Sequence, residues 1–149
     1  MAISLTLAVA FAAARVAGLP GSLHDGALAA CAPTTLDAAE ACLTSALSKQ
    51  DLAKLVDKAG SGAFRGALDC VIEIEWRLGD ANSPMAKVML EKIGIDHPAM
   101  AAGSIIQDVQ LRASGSAMDW NRARQAAGSI PLNAHRTTCP QSMERGDAD

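Results

Sequence analysis

Residues 63–78, AFRGALDCVIEIEWRL, decide the fold. Within them Val71 to Glu75, VIEIE, alternates apolar and charged residues with the period of a strand. The longer frame reads otherwise: Leu68, Val71, Ile72 and Leu78 return at helical spacing, and Trp76 covers a flank of their stripe. Arg65 and Asp69, and Glu73 and Arg77, stand four apart, where opposite charges pair on the solvent side of a helix. The segment is expected to be the central helix, ended by Gly79. No other stretch alternates convincingly, so the chain is expected to be all-α.

Working toward the N-terminus, Ser48 and Asp51 have the spacing of a capping box, opening a helix with a stripe of Leu52, Leu55, Val56 and Ala59 that stops at Gly60. Before it, Thr34 or Thr35 can cap a helix over 36–47 carrying Leu36, Ala39, Leu43, Ala46 and Leu47. A short helical piece is expected over 22–30. Toward the C-terminus, Ser83-Pro84 starts a helix through Met85, Val88, Met89 and Ile93 to Gly94, the methionines serving as core filling. Asp96-His97-Pro98 opens the next, with Ala102, Ile105, Ile106 and Val109 inward, and a weaker helix around 117–127 carries Trp120. The expected architecture is a small irregular helical bundle of five to six helices over 22–127. Residues 128–149 form a loose tail unless Cys139 anchors it.

Of the 149 residues, 50% are hydrophobic, but 31 are alanine and only Phe11, Phe64, Trp76 and Trp120 are aromatic. That composition suits one domain with a small core. Thirteen Lys and Arg against sixteen Asp and Glu give a net charge of -3, without the basic footprint of a nucleic-acid reader. Residues 2–14, AISLTLAVAFAAA, are apolar and lead into small residues at Ala12, Ala14, Val16 and Gly18. Residues 1–18 thus have the shape of a signal peptide, though no Lys or Arg precedes the apolar run, and a first core helix is the alternative. The run is shorter than a membrane span, so none is expected once a signal is removed.

Cys31, Cys42, Cys70 and Cys139 all follow that segment, and an exported chain can join them into two disulfides. Three pairings exist. Cys31 with Cys42 and Cys70 with Cys139 would tie both ends onto the central helix; Cys42 is the other partner considered for Cys70. The alternative is four reduced thiols in a cytosolic core. The localisation this implies is periplasmic or secreted, with the cytoplasm as alternative.

Residues that carry chemistry are sparse. Gly60 to Gly66 reads G-x-G-x-x-x-G without the Lys-Ser/Thr of a phosphate loop, and suits an inter-helix turn. There is no C-x-x-C, and His24, His97 and His135 are far apart, so no metal, cofactor or catalytic set is assigned. Two polar candidates remain. Glu75 lies in line with an apolar stripe, where a structural hydrogen-bonding role is the leading reading, and His97 sits at a helix N-terminus.

An order of short motifs over residues 34–113 resembles an uncharacterised bacterial helical domain family. It comprises TLDAAEACL at 35–43, LSKQD at 47–51, IEIEWRL at 72–78, GIDHP at 94–98 and SII at 104–106. The resemblance implies a helical fold and no established activity, so no site residue comes from it. The function expected is an exported interaction or envelope-associated module whose partner is another protein. The competing class is a small-molecule binder or enzyme with a pocket between the central helix and the helix starting at Pro98, using Glu75, His97 or Cys70. A third is a cytosolic regulatory accessory protein.

Overall fold

A computed structural model describes residues 26–57, 62–130 and 139. The signal-like segment 1–18, His24, His135 and most of the expected tail lie outside the described residues. Within them a 3-10 turn (Ala29–Cys31) is followed by six α-helices: α1 (Leu36–Ala46), α2 (Lys49–Val56), α3 (Gly62–Glu75), α4 (Pro84–Ile93), α5 (Pro98–Ala113) and α6 (Trp120–Gly128). No strand occurs among the described residues, and VIEIE is helical.

The helices start where side chains satisfy the free N–H groups of a first turn. Thr35 accepts from Ala38, Ser83 from Ala86 and Asp119 from Arg122. The Ser48 box is closed in both directions: its hydroxyl accepts from the Asp51 N–H at 3.1 Å and donates to the Asp51 carboxylate at 2.9 Å. Gly94, at φ 78, ends α4 in the left-handed conformation that glycine adopts without strain.

The end of α3 departs from expectation. The helix stops at Glu75, and the left-handed position is taken by Arg77 (φ 53) instead of Gly79. Arg77 N–H donates to the Ile74 carbonyl at 3.2 Å and Leu78 N–H reaches back to that of Glu73 at 2.9 Å, the paired bonds of a Schellman closure. Leu78 is still buried, so its place in the apolar stripe was real although the helix had ended. The two expected ion pairs do not form. Arg65 donates to the Gly103 carbonyl (3.2 Å) and to Gln110 (3.3 Å) on α5, and Arg77 pairs with Asp80 at 2.7 Å. Glu73 is buried, 3.8 Å from Cys139 Sγ. The part of that face carrying Arg65 and Glu73 is covered by α5 and by Cys139, while Arg77 stays in solvent.

The α5 helix organises the core, packing on α1, α2, α3 and α4, while α6 packs on α4. Leu43, Leu55, Leu68, Ile72, Met85, Met89, Ile105 and Ile106 are almost wholly buried, each stabilising the fold by roughly 1.5–3 kcal/mol relative to exposure. Small residues at 101–103 bring α5 close to α3: a Cβ on Gly103 would stand 4.0 Å from the Asp69 carboxylate. The chain ahead of α1 lies as a strap over the C-terminal end of α3, with Leu28 in the core. No helix among the described residues is long and apolar enough to cross a membrane.

Candidate functional site

Four polar constellations are built by this scaffold. The first is at the end of α3, where the Glu75 carboxylate accepts three backbone N–H groups of the strap: Gly26 at 2.8 Å, Leu28 at 2.7 Å and Ala29 at 2.9 Å. These are donors that a short turn leaves without backbone partners, and an ionised acceptor makes such bonds strong. Trp76 adds an Nε1–H bond to the Leu28 carbonyl at 2.9 Å, and is buried where a flanking position was expected. A cleft of about 260 Å³ lies beside them, walled by Ala32, Pro33, Arg77, Asp80 and Met85 among others.

The second is covalent. Cys31 is joined to Cys42 and Cys70 to Cys139, with Cα–Cα separations of 5.9 and 5.0 Å, and no cysteine is left free. The first closes 11 residues, fastening the strap to α1, and the second closes 69. One residue from Cys70, the Asp69 Oδ1 atom is buried and receives no hydrogen bond. Burial, reinforced by the charge of Glu73 and opposed by Arg65, pushes the Asp69 carboxyl up to about 6.

His97 forms the third. Its Nδ1 accepts the Met100 N–H at 3.2 Å and caps α5. Glu75, His97 and Cys70 therefore have separate partners: strap amides, a helix start and a disulfide. The cleft beside Glu75 does not include His97 in its walls.

The fourth has no motif in the sequence to mark it. Between α1 and α2, against α5, runs a groove of about 640 Å³. Ala41, Leu52, Ala53, Val56 and Val109 supply its apolar lining, and Asp37, Glu40, Lys49 and Arg112 its charges. Arg112 contacts Glu40 at 2.8 Å, Asp108 at 3.2 Å and Asp37 at 3.5 Å. Glu40 is buried and Asp108 completely so. Burial pushes the Glu40 carboxyl up to about 8, aided by its hydrogen bond to Asp108 and the charges of Asp108 and Asp37, and opposed by Arg112. A signal existed: Glu40 stands four residues after Leu36 and three before Leu43, and Asp108 three after Ile105. Both acids are thus in phase with apolar stripes.

No grouping of His, Cys, Asp and Glu suited to a metal occurs among the described residues. Comparison with family models, curated proteins and solved structures finds no match.

Proposed function

We propose that this chain is an exported, disulfide-stapled helical module that works by binding another protein, with the groove between α1, α2 and α5 as its contact surface. The observation carrying the export half is the pairing of all four cysteines into two bridges, since bridges of this kind persist in oxidising compartments and a small core benefits most from them. The signal-like residues 1–18 favour a periplasmic or secreted destination. The groove supports the binding half because it combines an apolar lining with a charged rim, the composition of a contact patch, and because Val56 is 44% exposed along it.

The test is to express the chain in a bacterium, trap thiols with an alkylating agent during fractionation, and weigh the product intact. The expected product is in the periplasm, lacks a leader, and takes up alkyl groups only after reduction. A cytoplasmic product starting at Met1 with four alkylated thiols overturns the export half. For the binding half, a photo-crosslinking residue at Val56 should give one adduct of discrete mass in cells, which the same residue at Leu90, exposed on α4, does not. Equal labelling from both positions overturns it.

A further inference from the structure

We propose that Glu40 and Asp108 share one proton across the α1–α5 interface, and that loss of this proton loosens α1 from α5 beside the groove, making the pair a pH-set latch. The inference is independent of export and of any partner. It starts from a shortage of donors. One guanidinium, Arg112, faces three carboxyl groups: Asp37, Glu40 and Asp108. Asp37 is 86% exposed and is served by water. The other two are not. Asp108 has both oxygens occupied, Oδ2 by Arg112 Nε–H at 3.2 Å and Oδ1 by the backbone N–H of Met118 at 2.9 Å. Glu40 has one, Oε2, occupied by Arg112 at 2.8 Å. Its Oε1 is buried, and no N–H or O–H reaches it.

Were both acids ionised, Glu40 would keep a bare oxygen out of water and a second carboxylate as its neighbour, an arrangement penalised by desolvation and by repulsion together. A proton on the Glu40 carboxyl removes both penalties, because it neutralises Glu40 and supplies the donor for the side-chain hydrogen bond between Glu40 and Asp108. The α5 helix presents Asp108 and Arg112, α1 adds Asp37, and α2 offers Lys49 at the groove rim. The α3 and α4 helices also pack on α5; Arg65 of α3 is bonded to the Gly103 carbonyl and Gln110, and the Asp69 carboxylate lies beside Gly103. The 3-10 turn beside α1 presents only Cys31, which is in a disulfide and does not titrate. The segment before α6 contributes the Met118 N–H, while the Asp119 carboxylate caps α6.

The direction of the effect follows. A carboxyl that holds its proton more tightly when folded than when unfolded contributes stability that is full below the ordinary glutamate value and is lost as pH rises through its folded value, here about 8. Asp69 acts in the same direction at lower pH, so the informative window lies above about pH 7.

The experiment follows thermal unfolding of the oxidised full-length chain from about pH 7 to about pH 9.5, for the wild type and for Glu40→Gln. The wild-type Tm is expected to fall by about 3–6 °C across the window. The Glu40→Gln chain, whose amide donates to Asp108 at any pH, should hold its Tm nearly constant and exceed the wild type at the alkaline end. A flat wild-type profile, or a variant that falls as steeply as the wild type, overturns the proposal. Should the variant fail to fold, carboxyl-carbon NMR of wild-type Glu40 decides: a titration midpoint above about 6 supports the shared proton, and one below it overturns it.

Discussion

The end of α3 and the α1–α5 interface each place a glutamate against the core, and they treat it in opposite ways. Glu75 meets three N–H groups of the strap within 2.9 Å. Glu40 meets a guanidinium on one oxygen and no donor on the other. The first region uses its carboxylate as a clasp, because a chain segment whose backbone donors lack backbone partners lies against it. The second carries more acid than its single arginine serves, so a proton has to complete it. What a buried carboxyl does is therefore set by the donors its neighbours bring, and burial alone does not predict it.

Replacing the clasp is the strongest way to break this comparison. Glu75→Ala leaves three N–H groups and the Trp76 bond without their common anchor, and is expected to cost about 3–5 kcal/mol in denaturant unfolding. Hydrogen exchange at Gly26, Leu28 and Ala29 should accelerate with it. Glu75→Gln keeps one acceptor and should lose about half as much. A cost below about 1 kcal/mol would show that the strap needs no clasp.

Next in size are the bridges. Serine at Cys70 and Cys139 opens a 69-residue ring and should cost about 4 kcal/mol, while serine at Cys31 and Cys42 opens one of 11 residues and should cost about 3. The sharper reading is local. Because Glu75 and Trp76 still hold the strap, its amides should stay protected in the Cys31, Cys42 double variant. Exchange as fast as in Glu75→Ala would make the disulfide the true fastening.

Asp69 extends the donor-poor side. Its carboxyl, pushed up to about 6, contributes stability that is complete below the ordinary aspartate value and lost as pH rises through about 6. Asp69→Asn should therefore stabilise the protein by about 1–2 kcal/mol near pH 7 and by nothing near pH 4, checked by urea unfolding at both. The smallest effect is at Arg77. Glycine there relieves the left-handed strain at φ 53 and should add about 0.5–1 kcal/mol. The Arg77–Asp80 pair it removes is solvent-exposed and contributes little.

The sequence exposed most of the helical frame and little of this chemistry, for physical reasons that differ by residue. Thr35, Ser48 and Ser83 declare helix starts because a cap and the amide it serves lie within three residues. The sequence points to Gly79 as the stop of α3, because Leu78 is buried whether or not the helix continues and Arg77 is an unusual residue for the closing position. The place of Glu75 in an apolar stripe implies a structural hydrogen bond, but its donors lie 46 to 49 residues away along the chain and carry no side-chain signature. Glu40 is hard to see in the sequence because alanines dilute the stripe around it. Its phase with Leu36 and Leu43, matched by that of Asp108 with Ile105, was the legible clue.

The Cys70–Cys139 ring also divides the molecule mechanically. It contains α4, α5 and α6 whole, while α1 and α2 lie outside it. Pulled from its two ends, the oxidised chain would route tension through Cys31–Cys42, along α2 and α3, and out through Cys139. Roughly 230 Å of contour length between Cys70 and Cys139 would stay locked. The three helices inside would bear no load, whatever happened to those outside.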